Sequence, residues 1–436
     1  MSPTFRALRT FNYRVWMSGA IVSNVGTWMQ RVAQDWLVLT VLTDHSAVAL
    51  GITTALQFAP MLLLAPIAGV LADRVPKRRL LMATQAAMGS IGLLLGVLVL
   101  TGAVELWMVY LLALGLGVAA AVDAPARQAF VSEMVPREDL SNAVGLNSAS
   151  FHAARVVGPA AAGLLIAWVG TGPVFLINAA SFVAVIISLA RMRVRELAPP
   201  PTITRGKGQL RAGLRYVRGR PDIVLMMAIV GTVGTFAFNF QMTTALMATS
   251  VFDKGASEYG LLGSIMAVGS LSGALLAARR ERPRVRLVVG ATFAFGIFAS
   301  LAAVMPTYTT FAIALVPVGV SSLTLITSAN AIVQLSVAPE MRGRVMALYM
   351  AIFMGGTPIG APIIGWIGAE YGARWTIGVG GIVALLTALA ALVWSVRAQR
   401  LRVRYRRHQT PHLQVSRATI ARVEPAQDLA DPAVAA

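Results

Sequence analysis

The sequence predicts an all-α membrane protein of twelve transmembrane helices arranged as two six-helix bundles, and three observations lead there. Of its 436 residues, 57% are hydrophobic and 13% charged, far from the balance of soluble domains. The apolar residues fall in long blocks, each near the roughly 20 residues that a helix rising about 1.5 Å per residue needs to cross about 30 Å of hydrocarbon. The basic residues then test the block map: of 37 lysines and arginines, all but Arg31, Arg155, Lys254 and Arg374 fall in the termini and alternate connections. Positive residues are retained on the cytoplasmic side, so this asymmetry orients a multi-pass cell inner membrane protein with both termini cytoplasmic.

The first block, about 15 to 42, follows Arg6, Arg9 and Arg14. It is longer than the core of a secretory signal, and no small-residue cleavage site closes it, so it reads as a span. The second, about 47 to 71, ends at a basic turn, and the third runs from about 80 to 101. The fourth, about 106 to 128, carries Asp123, Pro125 and Arg127 near its end, and the fifth, about 141 to 168, contains Gly158, Pro159 and Gly163. The sixth runs from about 173 to 191. Six more follow at about 222 to 249, 258 to 278, 287 to 305, 309 to 333, 345 to 368 and 374 to 396. The eleventh is the weakest, because Gly355, Gly356, Pro358, Gly360, Pro362 and Gly365 interrupt it.

These blocks divide the chain into an amino-terminal bundle over 1–191, a basic cytoplasmic linker over 192–221, a carboxy-terminal bundle over 222–396 and a cytoplasmic tail over 397–436. The linker contains the run Pro199–Pro201 and reads as a spacer that joins two bundles without packing between them. The halves echo one another. Pro136 and Pro159 have the same separation as Pro339 and Pro362, which lays the fifth block onto the eleventh, and Gly69 and Gly273 each precede an arginine-rich loop. Such a tandem repeat suits two bundles that rock about a midplane site. The tail is first basic, which suits anionic headgroups, and then polar and acidic, which suits disorder.

Several functions find no support. The net charge of +19 is spread over short clusters between apolar blocks without a nucleic-acid module, so membrane orientation explains it better than nucleic acid does. The chain has no cysteine and four histidines, with no metal-binding pair on a helix turn, no phosphate-binding loop and no nucleophile elbow. No cofactor, metal or enzymatic reaction is expected.

The most specific local signal is Gly69-Val-Leu-Ala-Asp73-Arg74-Val-Pro-Lys77-Arg78-Arg79. It resembles the loop between the second and third helices of the major facilitator superfamily, with Pro76 where a glycine is usual. The resemblance implies a major facilitator fold in which Asp73 faces the positive amino end of the eleventh helix, while the basic residues hold a cytoplasmic closure. The same residues also fit an ordinary basic turn. Arg155-Val-Val-Gly158-Pro159-Ala-Ala-Ala-Gly163 resembles the glycine-proline motif of exporter branches, and close helix packing explains it equally well. Over Trp16 to Arg79 and Asp123 to Asn178, and more weakly at Pro339 to Ala347, the chain is similar to the branch containing enterobactin exporters and macrolide efflux proteins.

Charges inside membrane helices are costly and face protein or a water-filled cavity. Asn24, Thr27, Arg31 and Gln34 form a stripe on the first block with Asp35 beside it, and Ser148, His152 and Arg155 form another on the fifth. Asp35, Arg31, His152 and Arg155 are the proton-coupling candidates, with Asp35 first because burial favours a neutral carboxyl. An ion pair with Arg31, four residues away, is the competing role, and packing is the competing role for His152. Asp123, Arg127 and Arg342 are gate candidates; Asn24, Thr27, Gln34, Gln57, Asn239 and Gln241 are cavity candidates, although amides also join helices. The expected function is secondary active transport by alternating access: a monomeric, proton-coupled antiporter exporting small amphipathic organic molecules. An importer of the same fold, or a membrane-embedded protein that transports nothing, is the alternative.

Overall fold

The computed structural model describes residues 3–198, 209–278, 284–398, 401–405 and 413–417. It falls into two units, Met1–Ala388 and Leu389–Ala436.

The first half of the larger unit comprises α1 (Phe11–Trp36), α2 (Ala47–Leu63), α3 (Ala65–Arg74), α4 (Lys77–Leu100), α5 (Leu106–Met134), α6 (Leu140–Val169) and α7 (Thr171–Ala190). The second half follows a linker helix α8 (Gln209–Arg218) with α9 (Pro221–Phe236), α10 (Phe240–Leu246), α11 (Ala256–Ala278), α12 (Val285–Ala303), α13 (Tyr308–Ser336), α14 (Pro339–Tyr371) and α15 (Ala373–Ala398), whose last turns belong to the smaller unit. Among the described residues, ten helices are long and apolar enough to cross a membrane. Two other expected spans fall short for legible reasons. Helix α1 carries Asn24, Gln30, Arg31, Gln34 and Asp35, and α2 is cut short at Leu64.

The second block is therefore two helices instead of one. Pro60 and Pro66 each lack an N–H, and their combined loss lets the chain bend at Leu64. The seventh block also breaks, at Ala237–Asn239, where Asn239 Nδ2 donates to the Thr235 carbonyl at 2.9 Å and satisfies one acceptor left by the broken helix. The eleventh block behaves oppositely. Its glycines and prolines do not interrupt it: α14 runs unbroken through 33 residues because Gly356 and Gly360 lie against Gly234 and Thr235, and Gly365 lies against Ala47.

The described part of the linker packs on the second half. The linker's proline run Pro199–Pro201 lies outside the described residues, but α8 packs on α14, with Gly213 beside Leu348 and Arg344, and Tyr216 Oη accepting from the Ala338 N–H at 3.3 Å. The loop from Arg279 likewise lies largely outside the described residues.

The end of the molecule that carries Arg74–Arg79 is the basic end, and its opposite is the far end. A core at the basic end ties the first half together. Trp16 meets Phe130 edge to face at 5.8 Å, and the Tyr13 hydroxyl donates to the Ala143 carbonyl at 2.7 Å.

The smaller unit adds two short strands beyond the helical spans. Strands β1 (Leu401–Tyr405) and β2 (Leu413–Arg417) pair antiparallel, with Leu401 opposite Arg417 and Tyr405 opposite Leu413. Their sequences alternate apolar and polar residues with the period of a strand. The rest of the expected disordered tail lies outside the described residues.

Candidate functional site

The first-half stripe on α1 meets the second half at Asp35. The Tyr259 hydroxyl, on the first turn of α11, donates to Asp35 Oδ2 at 2.9 Å and lies 3.4 Å from the Gln241 carbonyl, while the Trp36 and Tyr259 rings stack at 6.3 Å. Asp35 is almost fully buried, with Tyr259 and the Gln241 side chain as its hydrogen-bond partners; Arg31 lies within electrostatic reach but forms no salt bridge with it. The Arg31 guanidinium lies over the Trp28 ring at 4.9 Å and over Phe58 at 5.5 Å, and its buried Nε has no hydrogen-bond partner among the described residues. Arg155 reaches the same Trp28 ring at 5.6 Å, and Phe151 lies 5.8 Å from Trp28 and 5.9 Å from His152. The structure thus brings Arg31, Arg155 and His152 into one aromatic cluster between α1, α2 and α6, with Asp35 one turn beyond it.

The cavity candidates divide. Asn24 donates to Ser150 Oγ at 3.3 Å, and Thr27, Gln57 and Gln241 are half-buried. Gln34 and Asn239 are buried, and Asn239 serves the break in the seventh block with its Oδ1 left unpartnered among the described residues.

Two helix pairs close the far end, and both use the glycine-proline residues. Helix α6 packs on α11: Gly260 and Gly263 lie against Pro159, Gly158 lies against Trp28, and a methyl on Gly163 would stand 2.5 Å from the Ala256 carbonyl oxygen. Ser264 is inserted into the helical ladder of α6. Its hydroxyl donates to the Val156 carbonyl at 2.5 Å and accepts from the Ala160 N–H at 3.1 Å, spanning the pair that an undisturbed helix would join directly, beside Pro159. Helix α2 packs on α14 in the same manner, where a methyl on Gly51 would stand 2.6 Å from the Ala361 carbonyl and 3.2 Å from Pro362 Cα. The matched prolines Pro159 and Pro362 therefore each face a glycine of the opposite half.

At the basic end several charges of the first half are engaged within that half. Lys77 pairs with Glu133 at 2.6 Å, and Arg78 donates to the Leu189 carbonyl at 2.6 Å, capping α7 where its carbonyls are unpaired. Asp123 accepts from Thr84 and Gln85 at 2.8 Å each and pairs with Arg127 at 2.8 Å, while Arg127 also covers Trp16 at 5.3 Å. These two gate candidates join α5 to α4 and α1. Arg74, Arg79 and Arg342 are exposed, Gly69 is half-buried on α3, and the side chain of Asp73 lies outside the described residues.

Sequence reasoning missed Tyr259, Ser264, Trp28 and the buried pair in which Asn178 donates to Gln30. A signal for the second existed: Ala256, Gly260 and Ser264 repeat every four residues, the spacing of small residues at close helix contacts. A cavity of about 510 Å³ between α11, α12 and α13, lined by Pro317, Ser321 and Thr324 with Arg286 at its edge, lies within the second half and includes none of these residues.

The membrane-length helices place a polar site at the seam of two halves. Comparison with known proteins makes the chain a transporter, not an enzyme. The chain belongs to the major facilitator superfamily and, within it, to the family of transmembrane secretion effectors, whose model matches residues 2–420. It is 25% identical to the staphyloferrin A transporter of Staphylococcus aureus, over 85% of this chain and 92% of that protein. It is 22% identical to macrolide efflux protein A of Streptococcus pyogenes, over 88% and 96%. It is 27% identical to the enterobactin exporter EntS of Shigella boydii, over 83% and 86%. Among solved structures, a bacterial homologue of the human lysosomal transporter Spinster, inward-facing and unoccupied, shares the fold with a TM-score of 0.66 at 16% identity, over 90% of this chain and 96% of that one. The D-xylose-proton symporter does so at 0.69 and 12%, over 88% and 97%.

Proposed function

We propose that this chain is a proton-coupled exporter of small amphipathic organic molecules, monomeric, built as twelve spans in two six-helix bundles with both termini cytoplasmic, and working by alternating access. The observation that carries this reading is the seam. Glycine and proline surfaces join α2 to α14 and α6 to α11 at the far end, while α3 leaves the line of α2 at Leu64 and packs on α5 of its own half. With the basic end cytoplasmic, this is a carrier closed to the outside, and separating the two glycine seams is the movement that opens it there.

Asp35 is the proposed coupling group, because its carboxylate sits on the seam and its partner Tyr259 belongs to the opposite half. A proton gained or lost there acts on the contact that opening must break. Asp73, Arg74 and the residues to Arg79 are the proposed closure of the basic end in the alternate state, with Asp123, Arg127 and Arg342 nearby. Export is favoured over import by the relatives, which include an enterobactin exporter and a macrolide efflux protein.

The test is gradient-driven uptake of dyes, antibiotics and siderophores into everted vesicles, with Asp35→Asn and Asp73→Asn beside the native chain. Uptake that needs the proton gradient and disappears in Asp35→Asn, with the protein still inserted, is the expected result. Uptake that persists in Asp35→Asn removes the coupling role, and accumulation only in right-side-out vesicles makes the chain an importer.

A further inference from the structure

We propose that Arg31 and Arg155 form an anion-binding subsite against Trp28, so that the transported class is an organic carboxylate with a flat apolar body. This rests on the transport reading only for the fate of the ligand; the binding itself does not.

Both guanidinium groups converge on one ring, Arg31 at 4.9 Å and Arg155 at 5.6 Å from the Trp28 centroid, and Arg31 also covers Phe58 at 5.5 Å. The nearest acid, Asp35, accepts from Tyr259 and pairs with neither arginine. Among the described residues, ion pairs form elsewhere in the chain, at Lys77 with Glu133 and at Asp123 with Arg127. Asp35 lies within electrostatic reach of Arg31 without a salt bridge, so two guanidinium groups share one nearby carboxylate and otherwise face ring quadrupoles, which leaves the site a net positive charge. Ring faces offset only part of what such a cation loses when it leaves water.

The guanidinium chemistry says what would complete the site. The buried Nε on the edge of the Arg31 guanidinium has no hydrogen-bond partner among the described residues. A planar carboxylate matches that edge in a two-point contact, which an ammonium would not offer. The surrounding surface is aromatic: Phe151 meets both Trp28 and His152 edge to face. It favours a ligand whose anion is attached to a flat apolar body. Each negative charge carried from the cytoplasm to the outside is also moved in the direction that an inside-negative membrane potential drives it.

The experiment is isothermal titration of the purified full-length protein in detergent with 2-naphthoate and with its neutral isostere 2-naphthamide. Naphthoate is expected to bind roughly tenfold more tightly than the amide. Arg31→Gln and Arg155→Gln should each remove most of that preference and leave naphthamide unchanged, and Arg155→Lys should lose less than Arg155→Gln. Equal affinities, no binding of either compound, or a preference surviving in both glutamine variants would overturn the proposal. No gradient is used, so a naphthoate preference without vesicle flux sinks the transport reading alone, and flux without that preference sinks the subsite alone.

Discussion

Tyr259 donates its hydroxyl to Asp35 across the seam between the halves, at 2.9 Å and with both side chains buried. A single oxygen atom therefore joins the first turn of α11 to the last turn of α1, at the end where the halves are closed. Removing it takes from the Asp35 carboxyl one of its hydrogen-bond donors, leaving the Gln241 side chain, and takes from the closed seam one of its two-sided contacts.

Tyr259→Phe is expected to favour opening of the far end. Losing a hydrogen bond to a charged group is worth about 1.5–3 kcal/mol, so the open population should rise by about tenfold or more. The chain has no cysteine, so spin labels placed at Asp44→Cys and Asp253→Cys report this directly. An unchanged distance distribution in Tyr259→Phe would mean that the glycine seams alone hold the closure.

Gly163→Leu should prevent that closure from forming. Even a methyl there would stand 2.5 Å from the Ala256 carbonyl oxygen, and backbone cannot yield as a flexible side chain can. The expected result is normal insertion, a longer distance between the same spin labels and flux reduced by more than about tenfold, since a carrier unable to close one side cannot complete its cycle. Wild-type flux in this variant would contradict the assigned role of the seam.

Ser264 and Pro159 should be energetically coupled. Ser264→Ala lets Val156 and Ala160 bond directly only if the helix can straighten beside Pro159, so the serine matters more when the proline is present. Thermal unfolding of Ser264→Ala, Pro159→Ala and the double variant should give a coupling of about 0.5–3 kcal/mol. Additive effects would show that the inserted hydroxyl fills space without repairing the ladder.

Lys77 and Glu133, with side chains 12% and 7% exposed, should behave as a buried pair. Lys77→Met or Glu133→Leu alone is expected to cost about 3–5 kcal/mol, because each leaves an uncompensated charge, and the double variant should recover most of it. Melting temperatures of the purified proteins decide this; a double variant no better than the worse single one would make the pair indispensable for packing itself.

Much of the architecture was legible because it follows from the solvent. Apolar blocks must be about as long as the bilayer is thick, and lysines and arginines resist translocation, so lengths and charges alone mark most helices. Pro159 and Gly163 were legible as packing residues for a similar reason, since small residues are what permits close approach. The broken helices were harder to read. Pro60 and Pro66 break the second block whereas Pro358 and Pro362 leave α14 whole, and the difference lies in which neighbours support the backbone, such as Thr235 and Ala47 against α14.

Sequence by itself determined that the chain spans a membrane, where ten membrane-length helices lie within a few residues, and which positions carry polar groups into them; each of these depends on one residue or one local run. Tertiary structure alone decided the partners. Arg31 sits four residues from Asp35 at the spacing of an ion pair, yet Asp35 turns to Tyr259, more than two hundred residues away, and Arg31 shares Trp28 with Arg155. Helical spacing says which side chains are able to meet along one helix, but the choice among competing partners is made by helices from different parts of the chain packing together.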